Sequence, residues 1–283
     1  MHASDLMLRV ADGVRLHVRR WPGRSDRPPF LLVHGLSSNA RLWDGVALRL
    51  AALDYPVYAV DLRSHGESER PAGGYDTATA AADLAALSTA LQLPPVVAAG
   101  QSWGGNVAVA YAAAQPEQVR ALAGVDGGWI DLAAEFDSWE ACEQALRPPE
   151  LEGLRERDLI KLIRGEHPNW EEWAVHATIA NFRTEPDGRL SRRLPIPQHL
   201  QILRSMWDDP PSRHYPAIKV PTLLMPAVPA DGERAARQAR LVTAAAAALD
   251  QARIQGYAGA DHDLHAQQPA AVAADLLQLA RQV

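Results

Sequence analysis

The chain has 283 residues, enough for one large domain with an insertion or for two small domains. Hydrophobic residues make up 47% and charged residues 22%, and a net charge of -6 leaves no basic surplus to neutralise nucleic-acid phosphates. Cys142 is the single cysteine, which excludes an intrachain disulfide and a thiolate metal cluster.

Residues 1–12 mix His, Asp and Arg with apolar side chains and lack the apolar core of a signal peptide. No window approaches the roughly 18–20 apolar residues of a membrane span. Together these predict a cytoplasmic protein with no membrane partner. Stretches 6–10 and 15–18 flank Asp12-Gly13, a hairpin signal. Phe30-Leu31-Leu32-Val33 is fully apolar and stops at His34-Gly35; Val57-Tyr58-Ala59-Val60 does the same and stops at Asp61. Both read as buried strands. Between them Leu42, Val46, Leu50 and Leu53 recur at helical spacing, and 75–91 is an amphipathic helix. A strand over 96–99, a helix over 106–114 and a strand over 121–125 follow. Alternating strand and helix predicts a mostly parallel sheet covered on both faces.

From 128 to 215 the rhythm breaks into short helical patterns, such as 151–164, without a strand-like run. Five of the eight tryptophans fall in this stretch: Trp129, Trp139, Trp170, Trp173 and Trp207. Strand-helix alternation resumes with 222–225, a helix over 234–248, a short strand at 252–255 and a final helix from Pro269. The division predicted is a core of 1–127 and 216–283 interrupted by a helical cap, 128–215.

Gly100-Gln101-Ser102-Trp103-Gly104 carries the G-x-S-x-G pattern between a predicted strand and helix, the setting that gives this motif its mechanics. Glycines let the chain turn sharply, the turn lifts the Ser102 hydroxyl above the strand ends, and the Trp103 amide points from a helix start toward developing negative charge. A glycine-rich turn with a capping serine is the plainer alternative.

Four pieces in order make the chain resemble the α/β-hydrolase superfamily: His34-Gly35, then Asp61-Leu62-Arg63-Ser64-His65-Gly66-Glu67-Ser68, then the Ser102 turn, then Gly259-Ala260-Asp261-His262-Asp263. The likeness covers the sheet on both sides of the insertion and leaves the cap uncovered. It implies the α/β-hydrolase fold, Ser102 as nucleophile, and His262 as general base. His265 and His65 are weaker alternatives as the base. It also implies an oxyanion hole from the Leu36 and Trp103 backbone N–H groups. His34 reads as a structural hydrogen-bonder. Asp261, His262, Asp263 and His265 lie close together, but no HExxH-type spacing supports a metal, and no cofactor is implied.

The acid that orients His262 is open at this level. Asp231 lies near the family's usual position after the strand at 222–225, but Pro226-Ala227-Val228-Pro229-Ala230-Asp231 lacks the G-x-x-D pattern expected there. Asp126, in Val125-Asp126-Gly127-Gly128, looks like the alternative acid position used by many haloalkane dehalogenases. Those enzymes attack with a carboxylate, whereas a serine at the turn implies acyl transfer. An apolar ester, lactone or thioester is the substrate expected, with Trp103, Trp129, Trp139, Trp173 and Trp207 as candidates to line its pocket. A carbon–carbon bond hydrolase, and a non-hydrolytic ligand-binding protein or cyclase on the same fold, are the alternatives.

Overall fold

The apolar runs build one mixed sheet whose carboxyl ends present the residues singled out above. The structure is a computed structural model that describes residues 3–10, 12–150, 153–228 and 232–283. In chain order the first half contains β1 (Ser4–Arg9), β2 (Arg15–Trp21), β3 (Phe30–Val33), α1 (Asp44–Ala51), β4 (Val57–Val60), α2 (Thr77–Ala90), β5 (Val96–Gln101), α3 (Trp103–Ala114) and β6 (Val119–Val125). The insertion holds α4 (Leu132–Glu135), α5 (Trp139–Leu146), α6 (Glu156–Glu166), α7 (Glu172–Ile179), a hairpin of β7 (Phe182–Thr184) and β8 (Leu190–Arg192), and α8 (Ile196–Asp208). The last part adds β9 (Thr222–Met225), β10 (Ala227–Val228), α9 (Gly232–Ala248), β11 (Ala252–Ile254), β12 (Tyr257–Ala258), α10 (Leu264–Gln267) and α11 (Pro269–Ala280).

The main sheet runs β1-β2-β4-β3-β5-β6-β9-β11. β1 and β2 pair antiparallel, β2 meets β4 antiparallel, and β4 through β11 are parallel. Side chains alternate across it, as strand geometry requires. Leu31, Val33, Ala98 and Leu122 face α2 and α3, while Phe30, Leu32, Val97 and Ala121 face α1 and α11. All four residues of β3 are fully buried, and burying an aliphatic or aromatic side chain of this size contributes about 1.5–3 kcal/mol. This is the α/β-hydrolase fold expected from the sequence.

Two local departures have physical causes. The helix after β5 starts at Trp103, not at Asn106: packing against the strand ends overrides the poor helix propensity of Gly104 and Gly105. The hairpin β7–β8 carries mostly half-exposed or exposed side chains, so it has no apolar run to announce it; backbone pairing holds it.

The insertion is tied to the loops at the sheet's carboxyl edge. Asn39 Nδ2 donates to the Ala177 carbonyl at 2.7 Å and to Asn181 Oδ1 at 2.6 Å. Ser37 Oγ pairs with His199 Nδ1 at 2.9 Å, and Arg193 Nη2 donates to Glu67 Oε1 at 2.6 Å. Among the described residues, no helix is long and apolar enough to cross a membrane.

Candidate active site

β5 drives straight into Ser102, whose backbone sits at φ 53° and ψ -126°. A non-glycine residue there is strained, and strain of this kind persists only where neighbours over-determine it. They do so here. A Cβ on Gly100 would collide with the Gly104 carbonyl, and one on Gly104 with the carbonyls of Val33 and His34. β3, β5 and α3 therefore meet at a distance only glycine allows. The Ser102 amide donates to the Val125 carbonyl at 3.1 Å, fixing the turn to β6. Its hydroxyl makes no capping bond to α3, which leaves the capping-serine alternative without support.

Asp126 ends β6, again at positive φ (41°). Its Oδ2 lies 2.6 Å from Nδ1 of His262, and its Oδ1 accepts from the Ala227 amide at 3.0 Å and from Gln238 Nε2 at 2.6 Å. The carboxylate is buried, while the His262 side chain is 49% exposed. Asp231 lies outside the described residues. Gln101 Nε2 donates to the His262 carbonyl at 3.1 Å, so the strand that presents the serine also holds the histidine loop. Neither Gln101 nor Gln238 was singled out in the sequence; glutamine carries no motif signal, and its partners are distant in the chain.

The loop after β3 is held by imidazoles. His34 donates from Nδ1 to the Gly35 carbonyl at 2.7 Å and accepts at Nε2 from the Leu62 amide at 3.0 Å. His65 donates from Nδ1 to the Arg63 carbonyl at 2.8 Å and accepts at Nε2 from the Ser37 amide at 3.2 Å. Burial lowers the pKa of both, His65 to about 3, so each ring is neutral. Below them, burial would raise the Asp61 carboxyl. Hydrogen bonds from His17 and the Ala40 amide outweigh it and bring Asp61 down to about 2. Among the described backbone hydrogen bonds, neither the Leu36 nor the Trp103 amide donates to the protein. For Trp103 this follows from its place at the first position of a helix.

Ser102 and His262 both line a cavity of about 210 Å³. Leu36, Leu42, Ile163 and Trp170 supply its apolar wall; Glu166, His167 and Asp263 are among its polar groups. Burial raises the Asp263 carboxyl. His167 Nδ1 and Trp170 Nε1 meet Asp261 Oδ2 at 3.0 and 3.1 Å, joining the α6–α7 turn to the residue beside His262.

The five tryptophans expected at the pocket lie elsewhere. Trp103 is buried with its indole N–H on Thr77 Oγ1 at 3.1 Å. Trp129 is packed in the core cluster of the α2–α3 face. Trp139 and Trp207 meet edge to face at 6.1 Å, and Trp173 packs against Gly45 at the start of α1. Each fills a packing role, and it is Trp170 that reaches the cavity wall. His265 is fully buried, 4.5 Å from the Trp43 ring, and burial lowers it to about 3. It faces the core rather than Ser102.

A parallel sheet with serine, histidine and acid at its carboxyl edge defines a hydrolase architecture, and a family model for the alpha/beta hydrolase family matches residues 30–275. The chain belongs to that family. It is 39% identical over 111 residues to a non-heme chloroperoxidase of Streptomyces lividans, covering 39% of this chain and 40% of that protein. It is 40% identical over 113 residues to Lipase LipV of Mycobacterium tuberculosis (strain ATCC 25618 / H37Rv), covering 40% and 42%. The chain thus spans about two fifths of the length of these curated relatives. The crystal structure of E-2-(acetamidomethylene)succinate hydrolase matches with a TM-score of 0.78 at 22% identity, over 98% of this chain and 99% of that one. At that identity the likeness is one of fold.

Proposed function

We propose that the protein is a serine hydrolase that cleaves a small ester, lactone or thioester through an acyl-enzyme, with Ser102, His262 and Asp126 as its triad and residues 128–215 as a cap over the site. The observation that carries this reading is the 2.6 Å contact between Asp126 Oδ2 and His262 Nδ1, beside a serine held at a strained strand-to-helix turn on the same cavity. A carboxylate accepting from Nδ1–H fixes the imidazole tautomer in which Nε2 is the proton acceptor.

Ser102 Oγ attacks the carbonyl carbon while His262 Nε2 accepts its proton, and Asp126 stabilises the imidazolium. The carbonyl electrons move to oxygen, and the Leu36 and Trp103 amides receive the oxyanion. Collapse breaks the bond to the leaving group, which departs with the proton from His262. Water, deprotonated by His262, then releases the acyl group and restores Ser102. A cavity of about 210 Å³ falls below the roughly 300–1,000 Å³ typical of drug-sized ligands, which favours a compact substrate. Its mixed wall favours an acyl part carrying a polar group over a purely apolar one.

A fluorophosphonate probe tests the reading. Wild-type protein takes the label on Ser102 and turns over p-nitrophenyl acetate; Ser102→Ala loses both. Undiminished turnover in that variant refutes the mechanism.

A further inference from the structure

A second, much smaller cavity adjoins the first, and the two share Ser37, Ser38 and Asn181 in their walls. Its volume is about 10 Å³, room for about one water-sized oxygen and too little for a ring or chain. On the insertion side it is closed by Phe182, Arg192, Arg193 and Leu194 around the β7–β8 hairpin.

Two donors on this wall are withdrawn from solvent and have no partner, Ser38 Oγ and Arg193 Nε. Ser38 is 7% exposed. Arg193 uses Nη2 on Glu67 at 2.6 Å, which anchors the guanidinium. Beside it, Arg192 donates to the Pro149 carbonyl at 2.8 Å and lies over the Phe182 ring, and burial pulls its pKa down. The nearby Asn181 Oδ1 accepts from Asn39 Nδ2. A buried donor left unpaired destabilises the fold, and more so when charged. Two of them on residues that line one oxygen-sized space, next to guanidinium charge, are relieved best by an anionic oxygen. Beyond the backbone amides proposed for the oxyanion, the main cavity brings no cationic side chain to a substrate carboxylate. Its described lining residues include Glu166 and Asp263 and neither lysine nor arginine.

We infer that the small cavity is an anion subsite of the main one, taking one oxygen of a substrate carboxylate through hydrogen bonds from Ser38 Oγ–H and Arg193 Nε–H. The inference rests on the proposed function only in treating the main cavity as the substrate site. Ser38 follows Leu36 by two residues, so one short loop would hold both the carboxylate and the reacting carbonyl. The substrate class this selects is the monoester or monothioester of a small dicarboxylic acid.

Calorimetric titration of the full chain with glutarate and with its neutral diamide reads the subsite without requiring turnover. Glutarate is expected to bind at least tenfold more tightly than the diamide. Ser38→Ala and Arg193→Lys should each reduce that preference about tenfold. Lysine keeps a cation for Glu67, so this variant remains informative where a neutral replacement fails to fold. Equal binding of the two compounds, or binding of neither, overturns the proposal and leaves the cavity as a site for buried water. So does a preference unchanged in both variants. Hydrolysis of monomethyl glutarate against methyl pentanoate separates the two ideas. Selective glutarate binding in a protein that neither takes the fluorophosphonate label on Ser102 nor turns over p-nitrophenyl acetate or either ester keeps the subsite and refutes acyl transfer; turnover of both esters at equal kcat/KM, without glutarate preference, refutes the subsite alone.

Discussion

Replacing Asp126 by Asn separates orientation from packing, because its two oxygens do different work. Oδ1 accepts from the Ala227 amide and from Gln238, and Oδ2 meets His262 Nδ1. The asparagine has one oxygen to place. With the oxygen toward Ala227, both of those bonds survive and the new NH₂ faces His262, which must present Nδ1 as an acceptor. The opposite placement sets two N–H groups against each other at a buried site, at about 1–3 kcal/mol, whereas an imidazole changes tautomer at little cost. The first arrangement wins. His262 then carries its proton on Nε2 and cannot take one from Ser102. The expected loss in kcat is about 10⁴-fold, near 5.5 kcal/mol at 1.36 kcal/mol per decade. Urea unfolding should move little, since the bond to the buried amide is kept. Asp126→Ala should lose as much activity and, in addition, about 1–3 kcal/mol of stability from the unpaired Ala227 N–H. Steady-state hydrolysis of p-nitrophenyl acetate and urea titration of both variants provide the measurements. A drop of less than about tenfold in kcat for Asp126→Asn, or a larger loss from Asp231→Asn, refutes the assignment.

Gly104→Ala should destabilise by about 3 kcal/mol or more, because its Cβ meets backbone carbonyls of β3 and the following loop rather than a movable side chain; a thermal melt within two or three degrees of wild type, about 1 kcal/mol, would show that the strand ends can separate. Asp61, at about 2 in the folded state against an ordinary 3.8, contributes about 2 kcal/mol above pH 4, and that contribution falls away as pH drops toward 2. Wild type and Asp61→Asn should therefore differ in urea midpoint at pH 7 and converge near pH 2, and parallel curves from pH 7 to 2 would contradict the linkage.

The residues that end apolar runs were legible from the sequence. His34, Asp61, Ser102 and Asp126 each follow a buried strand, and a parallel sheet gathers such positions at one edge. The choice between Asp126 and Asp231 was not, for a geometric reason. β6 and β9 are neighbours with Val125 opposite Met225, so both acids follow adjacent strand ends, and strand patterning does not distinguish which carboxylate reaches the imidazole. The Ala227 amide just past β9 supports Asp126 from that adjacent strand end. The tryptophans misled because composition reports bulk, not direction: in a helical insertion an indole fills a core and lines a cavity with equal ease. The bond of Trp170 and His167 to Asp261 joins residues more than 90 positions apart, beyond the reach of any local pattern.

Burial explains why one residue type serves two purposes at this site. His34, His65 and His199 are enclosed, and burial lowers the pKa of each, His199 to about 4. A neutral ring offers one donor and one acceptor, which is what a brace between a carbonyl and an N–H or O–H requires. His34 spans Gly35 and Leu62, His65 spans Arg63 and Ser37, and His199 spans Leu146 and Ser37. Ser37 itself sits at φ 59°, held by an imidazole at its amide and another at its hydroxyl. Protonating His65 would set a donor against the Ser37 amide N–H and release that residue, so its low pKa preserves the loop. His262 has the opposite surroundings, half-exposed and against a carboxylate. In the proposed mechanism Asp126, on Nδ1, stabilises the imidazolium that proton transfer from Ser102 would create. The braces work because they do not ionise, whereas the proposed mechanism requires His262 to take a proton.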